Sequence, residues 1–372
     1  DFFDDKFGDV ELDEIAVEDT WTSDYDAVET VGAGYVQAKA TLRSLSLLTG
    51  LRGEYVSTRY EAFRIDNVDD YTDGLTNTPP TIERHQGYLM LLPMVHATYA
   101  LTERTNVRAA LTRRYGRPDY WDLVPYRQAE FDEDEVEVIL GNPDLDPATS
   151  WNVDLMGEHY FKTVGIISAG VFFKYQEGFM YTQSSESDTS SAGIVYDGTA
   201  VETASYEQTV NGDQGHIFGI EIALEKRLNF LPGFLNGLGV YGNYTYSWSE
   251  AQISPAAGES RTISMPGQSD HAGNIALGYD KHGLSLRLTL NLFSPFLDPG
   301  EVGEEAWEDR YHDAHLQLDG SASYTLKERY TVYVELMNLT NEPLRYYQGN
   351  EDITMQEEFY SWWARFGVKV NL

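Results

Sequence analysis

The chain contains no cysteine, so disulfides, thiolate metal centres and cysteine nucleophiles are excluded. No stretch reaches the roughly 18 to 20 uninterrupted apolar residues that a membrane-crossing helix requires, which removes helical membrane proteins. A mean hydropathy of -0.41 does not exclude a membrane, because alternating strands hide an apolar face from any window average. Basic residues are scarce: 26 Lys and Arg stand against 60 Asp and Glu, for a net charge of -34. Nucleic acid is therefore not an expected partner, since a phosphate backbone calls for a clustered basic face. Signatures of chemistry are also missing. There is no GxSxG, no HExxH and no phosphate-cradling loop, and the eight histidines are scattered, so no enzyme, cofactor or metal site is expected.

What is present points to strands. The chain is 42% apolar and 13% aromatic with 32 glycines, a composition that leans toward β-structure. In Leu284-Ser285-Leu286-Arg287-Leu288-Thr289-Leu290-Asn291-Leu292 every even position is Leu and every odd one polar. Such an alternation puts all apolar side chains on one face of a strand, and no helical period produces it. The same pattern sets Leu238, Val240, Tyr244, Tyr246 and Trp248 against Gly239, Tyr241, Asn243, Thr245 and Ser247. It recurs with Leu316, Leu318, Ala322, Tyr324 and Leu326, and in the last segment with Trp362, Ala364, Phe366, Val368, Val370 and Leu372.

About thirteen segments of this kind are predicted, near 32-42, 45-64, 86-101, 105-117, 149-161, 164-180, 215-228, 236-250, 270-280, 284-297, 313-326, 330-343 and 358-372. Their connections alternate between short turns, as at Arg43-Ser44 and Lys281-His282-Gly283, and long loops at 65-85, 118-148, 181-214, 251-269, 298-312 and 344-357. Short turns at one end and long loops at the other is the layout of an outer-membrane barrel, and aromatics near strand ends, such as Tyr99, Trp151, Phe161, Tyr279, Tyr324 and Tyr330, fit its interfacial girdles. Thirteen or more strands enclose a lumen too wide for side chains to fill, so the leucine face is expected to meet lipid and Arg287, Asn243, Asp319 and Arg365 to meet the lumen. An odd count does not close in the usual antiparallel manner, so earlier strands are expected upstream. Residues 1 to 30, with about twelve carboxylates against one lysine, read as a solvated extracellular loop segment, and 31 to 372 as the C-terminal part of an all-β transmembrane antiparallel β-barrel.

Five segments, in order, resemble the C-terminal barrel of TonB-dependent outer-membrane receptors, in the branch typical of Bacteroidetes. They are Arg117-Pro118-Asp119-Tyr120-Trp121-Asp122-Leu123-Val124-Pro125-Tyr126, Gly141-Asn142-Pro143-Asp144-Leu145-Asp146-Pro147-Ala148-Thr149-Ser150-Trp151-Asn152, Phe230-Leu231-Pro232-Gly233-Phe234-Leu235-Asn236-Gly237-Leu238-Gly239-Val240-Tyr241, Met265-Pro266-Gly267-Gln268-Ser269 and Asn338-Leu339-Thr340-Asn341-Glu342-Pro343. The resemblance implies a 22-stranded barrel plugged by an N-terminal domain, of which this chain supplies about the last thirteen strands. It also implies location in the outer membrane in contact with its lipid, a TonB complex as partner through the upstream region, and uptake of a scarce small solute. An oligosaccharide or glycan fragment is the first expectation for that solute, a ferric siderophore the second. A passive channel or adhesin barrel is the alternative, and would have no plug upstream. A soluble all-β carbohydrate-binding protein would bury its leucine rows. Terminal Leu372 departs from the aromatic residue with which such barrels often end.

Several clusters carry residue types capable of chemistry. Gly237-Leu238-Gly239-Val240-Tyr241-Gly242 spells a dinucleotide loop but sits within a strand pattern, where small residues are structural. Asp309, His312, Asp313 and His315 suggest a metal, yet positions three apart on a strand point to opposite faces, so the two histidines are not expected to converge without a bend. Asp66, Asp69, Asp70 and Asp73 lack calcium-loop spacing and read as solvated carboxylates. One cluster runs against the acidic trend: Arg113, Arg114, Arg117 and Arg127 lie among Tyr115, Tyr120, Trp121 and Tyr126 at a strand's outer end. Alternation directs Arg108, Thr112 and Arg114 to the lumen, where guanidinium groups hold carboxylates and rings stack on sugars or catechols. Arg114, Tyr115, Arg117, Tyr120 and Trp121 are therefore the candidate ligand contacts, with Trp307, Tyr346 and Tyr347 as weaker ones in other outer loops.

Overall fold

A computed structural model describes residues 24–371 except 64–79, 133–134, 189–194, 197–198, 201–202 and 256–259. The acidic segment at the start and Asp66 to Asp73 thus lie mostly or wholly outside the described residues.

Thirteen antiparallel strands follow one another in a single meander. They are β1 (Tyr25–Leu42), β2 (Leu45–Phe63), β3 (Thr81–Thr102), β4 (Thr105–Gly116), β5 (Ala148–Tyr160), β6 (Gly165–Glu177) and β7 (Gln214–Arg227). After these come β8 (Leu238–Ile253), β9 (His271–Lys281), β10 (Leu284–Phe293), β11 (His315–Leu326), β12 (Tyr330–Met337) and β13 (Trp363–Val370). The short strand Arg261–Ile263 also pairs with β8. Turns of a few residues alternate with long connections throughout, as the sequence predicts. Two residues turn the chain between β9 and β10, His282 (φ 55°) and Gly283 (φ 79°), and three do so between β11 and β12, with positive φ at Lys327 (φ 52°) and Glu328 (φ 58°). Positive φ at both central residues is what matches a two-residue turn to strand twist, as at His282-Gly283. β1 and β13 lie at the two ends of the order and do not pair, so the sheet stays open.

Side-chain alternation divides the sheet into two faces. One carries Val153, Leu155, Val171, Phe173, Phe218, Ile220, Ile222, Ile275, Leu277, Leu286, Leu288, Val332, Phe366 and Val368, all exposed. Register sets them beside one another, Leu155 opposite Val171 and Leu277 opposite Leu288. A contiguous apolar surface of this extent marks an interaction with something other than water. On β7, His216 and Lys226 bracket the apolar Phe218, Ile220, Ile222 and Leu224. Their ten-residue separation is roughly 33 Å of strand at about 3.3 Å per residue. A tilt of about 40° leaves about 25 Å, the apolar height of an outer-membrane barrel.

The other face is polar and paired with itself. Asn274 donates to Asn243 (3.1 Å), Asn291 to Asp319 (3.3 Å) and Gln317 to Asp319 (2.8 Å). Arg108 pairs with Glu158 at 2.9 Å, and Arg365 with Glu335. Arg365, Asp319 and Asn243 share this polar face, opposite the leucines.

Candidate functional site

The long connections fold back onto the polar face at one end of the wall, where two apolar clusters anchor them. In one, Tyr60 and Ala62 of β2 meet Leu123, Val124, Tyr126 and Leu145. In the other, Ile217 of β7 and Ala251 and Ile253 of β8 meet Phe179, Tyr181, Ile263, Met265, Leu297 and Val302. Burying one such side chain contributes about 1.5–3 kcal/mol, enough for each cluster to hold its loops in place. Burial raises the phenols of Tyr126 and Tyr181 to about 12.

A charged clamp ties the second cluster together. Arg261 donates to both Asp309 oxygens, Nη1 to Oδ2 at 2.9 Å and Nη2 to Oδ1 at 2.7 Å, and Nη2 also reaches the Gly303 carbonyl at 3.0 Å. Gly303 N–H returns a bond to Asp309 Oδ1 at 3.2 Å. The Asp309 side chain is 3% exposed, and burial pushes its carboxyl upward against the opposing pull of Arg261.

Between the clusters lies a recess of about 480 Å³, lined by Arg114, Tyr115, Thr149, Ser150, Gln176 and Gln268 with apolar Phe179, Met180, Ile217 and Met265. Arg114 is exposed there and forms no hydrogen bond or ion pair with any described residue. Arg52, Arg108, Arg117, Arg261, Arg345 and Arg365 each hold a carboxylate. Alternation directs Arg114 to the lumen and Arg113 to the apolar face, where its guanidinium lies 5.9 Å from the Trp151 ring.

The remaining predicted contacts fall into three settings. Tyr115 hydroxyl donates to Glu54 at 2.9 Å and its ring meets Tyr88 edge-on, while Arg117 and the Tyr120 hydroxyl converge on Glu29. These bonds bridge a gap in the wall. Pairing of β3 with β4 ends at Met94 opposite Thr112, where Pro93 has no N–H to continue the ladder. Trp121, in the helical turn Tyr120–Leu123, stacks on Tyr126 at 4.2 Å and packs against the first cluster. Tyr347 is buried against Tyr311 with ring centroids 5.2 Å apart, and burial raises its phenol to about 12. Tyr346 touches His312 edge-on, and Trp307 is exposed in its loop. Side chains of Arg127 and the acidic run Phe131 to Glu135 lie outside the described residues.

The bend that convergence of the histidines requires is present. His312 and His315 do converge, because the chain bends at Asp313-Ala314 between the strand Arg310–His312 and β11. His315 stacks on Phe293 (5.1 Å, 11°), and His312 stacks on Phe296 (5.0 Å, 12°) while meeting Phe293 at 5.2 Å. Among the described residues no group of three metal-ligating side chains forms. Instead the pair lines a second recess of about 320 Å³ with Phe293, Gln317, Met337, Asn338, Glu342, Leu344, Tyr360, Ser361 and Trp363. Sequence reasoning missed Phe293 and Trp363, which read as ordinary strand residues.

Comparison with known proteins agrees with this architecture. The siderophore receptor PiuA from Acinetobacter baumannii aligns with TM-score 0.59 and 13% identity over 93% of this chain and 44% of its own. The ferric-catecholate import receptor Fiu from E. coli K12 gives 0.62 and 14% over 93% and 45%, and the copper transporter OprC 0.61 and 14% over 92% and 48%. The chain thus spans under half the length of these structures, and at such identity the likeness shows the fold alone. A search of curated proteins finds no match. The family described as TonB dependent receptor-like, beta-barrel, matches residues 1–339, most of the sequence, and the chain belongs to that family.

Proposed function

We propose that this chain forms the wall and outer mouth of an importer in a Gram-negative outer membrane, taking up a scarce solute at the expense of energy delivered through TonB. The protein makes and breaks no bond in its cargo. Transport rests on differential affinity between states of the mouth and an upstream plug. The observation that carries the choice of cargo is Arg114, a cation with no ion pair or hydrogen bond among the described residues, in a recess of a protein with a net charge of -34. A guanidinium beside Thr149, Ser150, Gln176 and Gln268 suits an oxygen-rich anion, held by charge-assisted bonds. That chemistry favours a ferric siderophore over a neutral glycan, and the siderophore and ferric-catecholate receptors that share the fold support it. Tyr115 and Arg117 then serve as the rim of the site, with Tyr120, Trp121, Trp307, Tyr346 and Tyr347 shaping its loops.

Uptake of radiolabelled iron by cells bearing the receptor, offered a panel of ferric siderophores, tests this. Arg114→Ala is expected to weaken binding by roughly 10- to 100-fold, the loss of about 1.5–3 kcal/mol for a hydrogen bond to a charged group. Wild-type affinity in the variant, or energy-dependent uptake of neutral oligosaccharides with no response to any ferric chelate, refutes the anionic cargo.

A further inference from the structure

The first three strands of the wall are its longest, with 18, 19 and 22 residues. A strand crosses the apolar layer in about 9–11 residues, so β1 to β3 run well past it toward the long connections. There β3 loses one neighbour. It stays paired with β2 from Tyr99 opposite Leu45 out to Thr81 opposite Phe63, whereas β4 leaves it at Met94 opposite Thr112. Among the described residues, Thr81 to Leu92 is therefore a sheet edge. Side-chain bonds fix which backbone groups lie along it. The Thr49 hydroxyl donates to the Met94 carbonyl at 3.2 Å and the Thr58 hydroxyl to the Gln86 carbonyl at 3.4 Å, so the even-numbered groups of β3 face β2. The N–H and C=O of one strand residue point to the same side, which turns those of Glu83, His85, Gly87, Leu89 and Leu91 to the open side. No described residue accepts from these five N–H groups. Two of the carbonyls are touched, Leu91 by Arg113 at 3.4 Å and Glu83 by Arg84 at 3.2 Å.

A row of free donors and acceptors is a template for another strand, and neither proline nor a bulge interrupts this one between Glu83 and Leu91. Side chains beside the edge specify what fits it. Leu91 and Leu89 stand exposed at its base. At its tip Asp26, Glu61 and Glu83 share the single guanidinium of Arg59, at 3.0, 3.8 and 3.3 Å, with His85 Nε2 3.1 Å from Glu83. We infer that this edge accepts an extended peptide by strand addition, with apolar side chains opposite Leu91 and Leu89 and a lysine or arginine opposite Glu83. Main-chain bonds supply the binding, and the cation sets the register against the carboxylates. A second copy of this chain fits poorly. Antiparallel pairing of two such edges about Gly87 puts Glu83 against Leu91 and His85 against Leu89, between molecules that each carry a net charge of -34. The inference does not depend on the cargo, since none of these edge residues lines the recess at Arg114.

The probe is a fluorescein-labelled nonapeptide, Val-Thr-Val-Thr-Val-Thr-Thr-Thr-Lys, titrated by anisotropy into the full-length receptor in nanodiscs. Its first residue faces Leu91 and its terminal lysine faces Glu83. Saturable binding is expected, with the version that ends in glutamate weaker by several-fold. N-methylation of the third and fifth residues, whose amides face β3, is expected to lower affinity roughly tenfold. The same modification of the fourth and sixth, whose amides face away, is expected to leave it nearly unchanged. Leu89→Cys is expected to form a disulfide with a peptide bearing cysteine as its third residue, and not with one bearing it as its fourth. Absence of saturable binding, equal loss from the two methylation patterns, indifference to lysine against glutamate, or receptor dimers that exclude the peptide overturns the inference.

Discussion

Replacing Asp309 with alanine isolates the force that holds the outer loops closed. Asp309 accepts two bonds from Arg261 and one from the Gly303 N–H, with its side chain 3% exposed. Removing it strands a largely buried guanidinium whose Nε already has no partner among the described residues. Breaking one side of a buried pair costs about 3–5 kcal/mol. At about 1.4 kcal/mol per tenfold, the local opening equilibrium rises by roughly two to nearly four decades, up to full exposure. Hydrogen exchange followed by mass spectrometry on the receptor in nanodiscs reads this directly. The reporting amides are Asp298 (to Arg310 O, 2.9 Å), Val302 (to Thr182 O, 3.0 Å) and Gly349 (to Asp309 O, 2.8 Å). Their protection is expected to collapse while that of the wall strands holds. A double variant, Arg261→Met with Asp309→Leu, is expected to recover most of it, because well-packed apolar residues replace a buried pair at little cost. Protection unchanged in Asp309→Ala, or equally lost in the double variant, refutes the reasoning.

Two further outcomes follow from the same geometry. Tyr126, Tyr181 and Tyr347 have folded pKa values raised from 10.0 to about 12. Their contribution is therefore complete below pH 10 and is lost as pH rises through 12. Absorbance at 295 nm is expected to titrate in two phases, the later one accompanied by loop opening, and a single phase near pH 10 contradicts their burial. Leu288→Arg, on the apolar face of β10, is expected to destabilise the folded barrel by about 2–4 kcal/mol in urea refolding into lipid vesicles. Thr289→Arg, its lumen-facing neighbour beside Asp319, is expected to change stability little, and equal effects of the two count against the assigned faces.

Strand positions were legible because a wall with one apolar and one polar face writes its period into the residues. Leu284 to Leu292 could be nothing but such a strand, and β10 occupies it. Strand ends were less legible. The first strand starts at Tyr25 rather than near residue 32, because Val28 pairs with Arg59 where β1 and β2 continue beyond their apolar stretch. Loop architecture was not legible at all. Thr203–Asn211 pairs in parallel with Glu135–Leu140, and Leu344–Gln348 pairs with Arg310–His312. Such distant pairings depend on where the wall delivers each loop, and no local period records them. Arg114 was found from charge context and alternation. Convergence of His312 and His315 depends on the bend at Asp313 and Ala314, which no local period records.

The absence of cysteine makes the most direct test clean, since single cysteines introduced one at a time from 284 to 292 carry a spin label with no background. Labels at Leu284, Leu286, Leu288, Leu290 and Leu292 are expected to collide with oxygen dissolved in lipid. Those at Ser285, Arg287, Thr289 and Asn291 are expected to collide with a water-borne nickel chelate. Accessibility that does not alternate, or that alternates with the leucines on the aqueous side, contradicts a barrel wall with hydrocarbon outside and solute within.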